Sequence, residues 1–234
     1  MSGSINWGIG DTQMGEQPTA EEIESEIEKI MQEFGADEIK LFGRWSWKGV
    51  IVRDPGLVAY ISLKPVYIPH SFGRHEKTRF ARAKVNIVER LINRLMTPGR
   101  ERGLPKTGKF TGKKLHAMRI VEAAFEIIEK RTGENPIQIF VRAVENCAPR
   151  EDYTSFRVAG IIKKFAVDLS PQRRVDLALK FLVMGARQRA WRSPLSIAEA
   201  LAEEIMEAAK SPENVNSIAI SKKIELERIA EAAR

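Results

Sequence analysis

Apolar side chains recur every three or four residues along much of the chain, and that period indicates amphipathic helices. One apolar stripe begins at Val85 and ends before Pro98, and because helical periodicity returns from Glu76 onward we predict that this helix starts there. A second stripe predicts a helix over 113–131 that stops at Gly133. Helices of this kind need a shared core to bury their apolar faces.

Three further helices are indicated by one shared device, a capping residue followed by proline at the first helical position. The pairs are Asn135-Pro136, Ser170-Pro171 and Ser193-Pro194. Proline is tolerated there because the amide that it lacks has no partner within the helix. We therefore predict helices over 136–147, 171–190 and 194–210, and the apolar pattern predicts a last helix over about 220–233.

Helical periodicity stops between Pro149 and Asp168, where two short apolar runs flank Ala159-Gly160. Paired runs around a glycine are typical of a β-hairpin, which we place at about 149–168. The whole pattern predicts a mainly α fold: a bundle of about six helices with a protruding β-hairpin, plus an irregular N-terminal extension.

The chain divides into three segments by composition. For residues 1–37 the pattern predicts a flexible tail followed by an acidic accessory helix. We interpret the acidic face of this helix as a solvated surface, with protein docking as the alternative. Residues 38–84 are basic and interrupted by glycine, proline and aromatic residues, which predicts an extended segment. Residues 85–234 form the predicted helical domain, with a mobile basic loop at 99–112.

The charge of the chain is unevenly distributed. The net charge of +7 is made up of −9 in residues 1–38, +15 in residues 39–119 and +1 in residues 120–234. The basic middle segment holds too little acid to neutralise itself, so nucleic acid is the favoured partner and an anionic membrane surface the weaker one. With 43% hydrophobic residues, no apolar run of membrane-spanning length and no leader-like start, we expect a soluble, intracellular protein.

Residues that could support catalysis or metal binding are few. Cys147 lies in an apolar helical stretch, which favours a buried, inert thiol. His70, His75 and His116 have no partner at metal-ligand spacing, and the glycines around Lys109 lack the order of a nucleotide-binding loop. We therefore expect no enzyme, no metal, no cofactor and no small-molecule substrate.

Basic residues at helix starts are the best candidates for binding phosphate. Lys113, Lys114, Arg173 and Arg174 should combine side-chain charge with the free amides of a helix start. Solvated cations, or a local ion pair of Arg173 with Asp176, remain the alternative.

Aromatic residues beside basic ones could stack on unpaired bases. We favour packing onto the bundle for Tyr153 and Phe156 and a place at the edge of the core for Trp45, Trp47 and Trp191, with base stacking left open for each.

The ordered set of motifs from Val85 to Arg234 resembles the universal small-subunit ribosomal protein seven family, called protein five in eukaryotes. The segments that carry the resemblance are Gly112-Lys113-Lys114, Thr132-Gly133-Glu134-Asn135-Pro136, Arg157-Val158-Ala159-Gly160, Ser170-Pro171-Gln172-Arg173-Arg174 and Gly185-Ala186-Arg187. Upstream, Lys40-Leu41-Phe42-Gly43 and Ile68-Pro69-His70-Ser71 are similar to the archaeal and eukaryotic branch, so the resemblance spans residues 38–234.

The resemblance implies a structural constituent of the small ribosomal subunit that binds the 3′ major domain of its rRNA and helps to nucleate assembly of the head. It places Arg157, Val158, Ala159 and Gly160 near the exit-site tRNA and the mRNA, at the subunit interface. It also implies contact with small-subunit ribosomal protein eleven and other head proteins, in the cytoplasm.

Charge pattern and resemblance together predict a set of residues that bind rRNA. They are Arg74, Arg79, Arg82, Lys84, Arg100, Lys113, Lys114, Arg119, Arg150, Arg157, Lys163, Lys164, Arg173, Arg174, Arg187, Arg189, Lys222 and Lys223. Charge and helices alone would equally permit a free-standing nucleic-acid binder, either a DNA-architectural protein or a regulator of its own message.

Overall fold

The computed structural model describes residues 39–96, 111–158 and 160–234. Predictions for residues 1–37, for Arg100 and most of the loop 99–112, and for Ala159 lie outside these residues. Six α-helices and one hairpin are described: α1 Ile87–Leu95, α2 Lys114–Thr132, α3 Pro136–Cys147, β1 Glu151–Val158, β2 Ile161–Asp168, α4 Pro171–Ala190, α5 Ile197–Lys210 and α6 Ile218–Glu231. The predicted mainly α fold with a hairpin is confirmed.

Two of the three proline-marked helices begin and end where predicted. Helix α3 starts at Pro136, and the Asn135 side chain accepts a hydrogen bond from the Ile137 amide at 3.0 Å. Helix α4 starts at Pro171, although the Ser170 side chain makes no capping bond. Local chemistry alone therefore defines these two boundaries.

The third marked helix does not begin at Pro194, and that prediction is wrong. Helix α5 starts at Ile197, because Ser196 and Glu199 form a capping box that closes the helix start three residues later. The Ser196 hydroxyl accepts from the Glu199 amide at 3.2 Å, and the Glu199 carboxylate accepts from the Ser196 amide at 2.8 Å. Because the capping box satisfies the Ser196 and Glu199 amides, it determines the helix start more strongly than Pro194 does.

Helix α1 is also shorter than predicted and starts at Ile87. Asn86 is its cap and accepts from the Val88 amide at 2.9 Å, while its own side-chain amide donates to the Lys64 carbonyl at 2.8 Å. The residues before it form two 3-10 turns, Arg74–Lys77 and Ala81–Lys84, on either side of Phe80, whose φ is +60°. Arg79, Arg82 and Lys84 therefore precede α1 and do not belong to it.

Helix α5 lies at the centre of the bundle and packs against α2, α3 and α4. Its inward residues include Ala200, Ala202 and Ala208, all fully buried, and such small side chains let neighbouring helices approach closely. The two helices are in tight contact at Gly185 on α4, where an added Cβ would lie 2.6 Å from Cδ of Glu204 on α5. This contact explains a glycine in the middle of a long helix.

Residues 39–85, here called the N-terminal strap, cross the bundle as irregular chain with three 3-10 turns, the first at Val58–Tyr60. Leu41, Trp45 and Trp47 of the strap are buried in the core, as favoured for both tryptophans, and the Trp45 indole also donates to Glu129 at 3.0 Å. The strap is thus part of the folded core and not a loose extension.

The hairpin pairs Glu151 with Asp168 at its base and Val158 with Ile161 at its end. Gly160 has a φ of +84°, which suits glycine in a tight turn. Helix α6 packs against both strands. Phe156 does not pack onto the bundle, contrary to the favoured expectation: it is 57% exposed and its ring contacts Phe165, with centroids 5.9 Å apart.

Candidate nucleic-acid interface

More than half of the predicted rRNA-binding residues are exposed and make no ion pair with another described residue. These residues are Arg74, Arg79, Lys84, Lys113, Arg119, Arg150, Arg157, Lys163, Lys164 and Arg173. They lie in the strap, at the start of α2, on the hairpin and at the start of α4. Their charges face solvent, which is the state that phosphate binding requires.

A second group of predicted residues is engaged inside the protein. Lys114, Arg174, Arg187, Arg189 and Lys223 each bond to an acidic side chain or to a backbone carbonyl. Arg82 pairs with Asp176 at 3.6 Å but stays 58% exposed, and Lys222 pairs with Glu225 at 2.5 Å. The charge of this group is used largely to hold the fold.

The adjacent residues Arg173 and Arg174 have opposite environments. The Arg174 guanidinium is only 13% exposed; it donates to Asp54 of the strap at 2.9 Å and to the Pro149 carbonyl at 3.1 Å. Arg173 is exposed, and the ion pair with Asp176 that is the alternative expectation for it is not formed. Asp176 instead binds Arg90 at 3.1 Å and Arg82 at 3.6 Å, which leaves Arg173 available to a ligand.

The start of α2 shows the same division between neighbours. Lys113 is exposed, whereas Lys114 Nζ lies 2.7 Å from the buried carboxylate of Glu89 and 2.8 Å from Nδ1 of His70. Burial raises the pKa of Glu89, but hydrogen bonds from Lys114 and from the amide and hydroxyl of Ser71 outweigh it and lower the pKa below its usual value. Glu89 is therefore ionised and neutralises Lys114.

A cleft of about 610 Å³ lies between the strap, α1 and α4. Its walls carry six cationic side chains against three acidic ones, and we call it the basic cleft. The cationic residues are Arg82, Arg90, Arg94, Lys114, Arg173 and Lys180. Burial lowers the pKa of Arg90, and the carboxylate of Asp176 opposes that shift.

Arg90, Arg94 and Lys180 of the basic cleft are missing from the set predicted from the sequence. A usable signal exists for Lys180, because Arg173, Asp176 and Lys180 recur at intervals of three and four residues and so share one face of α4. For Arg90 the sequence pattern gives no such signal. It lies within an apolar stripe, and its partners Tyr60 and Asp176 are far away in sequence.

Basic residues lie on both faces of the hairpin. Arg157 and Lys164 share one face, and Lys164 Nζ lies 4.9 Å from the ring centroid of Tyr153. Lys163 lies on the other face, beside Phe156 and Phe165. An elongated element with charge and aromatic rings on its surface suits single-stranded or irregular RNA.

Trp191, which we expect at the edge of the core, is partly buried and partly exposed. It is 45% exposed, and the Arg192 guanidinium lies 5.9 Å from its ring. Cys147 is fully buried, and burial raises the pKa of its thiol, which makes it unreactive. Within the described ranges, no group of three or more His, Cys, Asp or Glu side chains is placed to hold a metal ion, and none of the described helices could cross a membrane.

The fold and its exposed cations suit a mainly helical nucleic-acid-binding protein, and comparisons with known proteins identify its family. A model of the family described as ribosomal protein S7p/S5e matches residues 57–234. A curated relative, small ribosomal subunit protein uS7 of Nanoarchaeum equitans (strain Kin4-M), is 51% identical over 202 residues, which cover 84% of this chain and 100% of the relative.

The chain belongs to the ribosomal protein S7p/S5e family, in its archaeal form. It is a structural, rRNA-binding protein of the small ribosomal subunit and not an enzyme. The resemblance seen in the sequence is confirmed, and the ribosomal role is favoured over a free-standing DNA-architectural protein.

Proposed function

We propose that the protein binds the 3′ major domain of the small-subunit rRNA, helps to nucleate assembly of the head, and lies near the exit-site tRNA and the mRNA at the subunit interface. The observation that carries this proposal is the group of ten exposed, unpaired cations on the strap, the hairpin and two helix starts. Cytoplasmic location, and contact with small-subunit ribosomal protein eleven and other head proteins, belong to the same proposal.

The bundle and the hairpin have different roles in this proposal. Lys113 directly precedes α2 and Arg173 lies in the first turn of α4, so a folded RNA domain meets charges placed by the bundle. The hairpin is joined to the bundle mainly through α6, and its end carries Arg157 and Gly160. The bundle therefore provides affinity for the rRNA, and the hairpin reaches the tRNA and mRNA.

A salt titration tests the role of the bundle. Binding to the 3′ major domain RNA should fall with a logarithmic slope of roughly −0.9 per neutralised phosphate on duplex regions, and Arg173→Gln should reduce the slope by about one. Lys222→Gln is the matched control, because Lys222 already pairs with Glu225 and should contribute less. A flat titration of the wild-type protein would contradict the proposal.

Deletion of the hairpin tests the division of roles. Replacing residues 152–167 with a short turn keeps Arg150, whose amide donates to Glu227 of α6, and Glu151, which pairs with Arg234. We expect binding to the RNA domain to stay largely intact, while small subunits reconstituted with this variant retain exit-site tRNA poorly. Complete loss of RNA binding would count against separate roles.

Sedimentation tests the cellular assignment. The protein should sediment with small ribosomal subunits from a cytoplasmic extract at low salt and leave them at high salt, because its contacts are mainly ionic. Sedimentation with other particles, or retention that salt does not affect, would oppose it.

A further inference from the structure

Phe80 is an exposed aromatic residue held in an unusual backbone conformation. It is 76% exposed, and its φ of +60° lies in the left-handed region that bulky residues rarely adopt. Exposure of the ring and the left-handed backbone both cost stability, and such costs cluster at binding sites. The Arg79 guanidinium lies 6.0 Å from the ring centroid, which leaves the ring open to a second planar partner.

The fold holds Phe80 at one wall of a cleft. The residue begins the 3-10 turn Ala81–Lys84, and its carbonyl accepts from the Ala83 amide at 3.2 Å. The cleft measures about 550 Å³, a volume typical of small-ligand sites. Its other walls include Arg82, Ser170, Gln172 and Arg173, so an aromatic face, two guanidinium groups and a side-chain amide meet in one space.

Another wall of this cleft is the start of α4, a helix of 20 residues. Because the Ser170 side chain makes no capping bond, the amides of Gln172 and Arg173 have no acceptor among the described residues. Free amides at the positive end of a helix attract phosphate, and the exposed, unpaired Arg173 adds a full charge there.

Two carboxylates also border the cleft, Glu76 and Asp176. Asp176 is neutralised by the buried Arg90 at 3.1 Å and by Arg82 at 3.6 Å. Glu76 lies in the exposed turn Arg74–Lys77 beside cationic neighbours. The start of α4 is therefore the most favourable place in the cleft for an anionic group.

We propose that this cleft, the Phe80 cleft, binds one unpaired ribonucleotide of an RNA chain. The base stacks on Phe80, the phosphate lies at the start of α4 near Arg173 and Arg82, and the Gln172 amide offers a donor and an acceptor to the base edge. The inference rests on the proposed rRNA binding and deepens it, because it assigns recognition of a base to a surface otherwise expected to contact only the backbone.

Substitutions at Phe80 test the proposal with a matched control in the same segment. Phe72 is also exposed, at 73%, has a φ of +52° and carries an arginine, Arg74, 5.8 Å from its ring, but it does not line the cleft. Phe80→Ala and Phe80→Leu should each weaken binding to the 3′ major domain RNA by about tenfold, since stacking is lost in both. Phe80→Trp should retain affinity, and Phe72→Ala should stay near wild type.

Chemical probing of the same RNA supplies the second measurement. One unpaired nucleotide should be protected by the wild-type protein and by Phe80→Trp, and become reactive with Phe80→Ala and Phe80→Leu. Circular dichroism confirms that each variant is folded, and Phe80→Leu keeps the test valid if the alanine variant does not fold.

Several outcomes would overturn the inference. Wild-type affinity and footprint for both Phe80→Ala and Phe80→Leu would remove the nucleotide site, and equal losses in Phe72→Ala would remove its assignment to this cleft. Unchanged RNA binding with impaired recruitment of other head proteins would show a protein-docking surface instead. If the wild-type protein itself does not bind the RNA domain, the proposed function fails first, which separates the two results.

Discussion

Glu204 is a fully buried carboxylate that joins three elements of the bundle. It accepts hydrogen bonds from the Ser217 hydroxyl at 2.7 Å, from the Ala219 amide at 2.8 Å and from Arg189 Nε at 2.6 Å. A buried carboxylate is tolerated only with this degree of satisfaction. Because it also lies against Gly185, the pair fixes how closely α4 and α5 approach.

Gly185→Ala should therefore destabilise the fold by about 2 to 3 kcal/mol. The added methyl would lie 2.6 Å from a carboxylate whose three hydrogen bonds prevent it from moving away. Gly56→Ala is the control: on an exposed turn its methyl would meet the ends of two side chains, Asp54 Oδ1 at 3.2 Å and Arg174 Nη1 at 3.6 Å, and we expect a loss below about 1 kcal/mol. Urea unfolding measures both, and equal losses would contradict this account.

Glu89 makes the stability depend on pH. Burial raises its pKa, but the bonds from Lys114 and Ser71 outweigh burial and place the pKa below its ordinary value. A carboxyl group whose pKa is lowered by folding contributes stability above its ordinary pKa, and this contribution is lost as the pH falls through the folded-state pKa.

Glu89→Gln should accordingly cost about 2 kcal/mol at pH 7, and the difference from wild type should shrink progressively below about pH 4.5. Urea unfolding at a series of pH values provides the measurement. Glu225→Gln, in an exposed ion pair with Lys222, should change little at any pH. A Glu89→Gln deficit that stays constant into strong acid would argue against an ionic role.

The sequence identifies which side chains are basic but not which group each of them binds in the folded protein. Arg174 and Arg189 have the composition and setting expected of RNA ligands, and their actual partners, Asp54 and Glu204, lie 120 and 15 positions away. Nothing local distinguishes Arg174 from Arg173. The difference arises only when the strap is folded over the bundle, and no periodicity encodes that.

Helix boundaries depend on competition between local signals. Helices begin at Pro136 and Pro171 because no stronger cap lies within the next turn. The helix after Pro194 begins later, because Ser196 and Glu199 form a stronger cap. The capping box was itself readable in the sequence, so α5 could have been placed correctly. The late start of α1 could not, because its cap Asn86 is selected partly by a bond to the distant Lys64 carbonyl.

Two serines provide a direct test of these caps. Ser196→Ala should cost about 1 kcal/mol, because it leaves the Glu199 amide without its acceptor. Ser170→Ala should cost a few tenths at most, since its hydroxyl makes no capping bond. Thermal unfolding of the two variants provides the comparison, and a larger loss for Ser170→Ala would show that the cap assignments are reversed.

The part of the molecule that the structure describes is a helical bundle closed by the strap, whose regular structure is limited to three 3-10 turns. Backbone amides of the strap donate hydrogen bonds to side chains of the bundle. The Ile51 amide donates to Gln138, the Arg53 and Asp54 amides donate to Glu145, and the Ser71 amide donates to Glu89. Such bonds satisfy backbone donors of an irregular chain without a sheet. Sequence patterns recognise the strap's apolar residues but not this route.

Glu145→Ala tests whether the strap opens independently of the bundle. It removes the acceptor of the Arg53 and Asp54 amides, so their hydrogen exchange should accelerate about tenfold while the core amides of α3 stay protected. Glu134→Ala, which breaks only an exposed ion pair with Arg142, is the control. Equal acceleration throughout the bundle would instead show one cooperative unit.

The exposed apolar surface of the hairpin limits how much of this protein a cell can hold without rRNA. Phe156, Ile161, Phe165 and Val167 share one face and are 44% to 64% exposed, and among the described residues no third strand pairs with either edge of the hairpin. Apolar surface next to open strand edges promotes self-association in water. Copies synthesised in excess of rRNA should therefore aggregate or be degraded, so that production must match the supply of newly transcribed RNA.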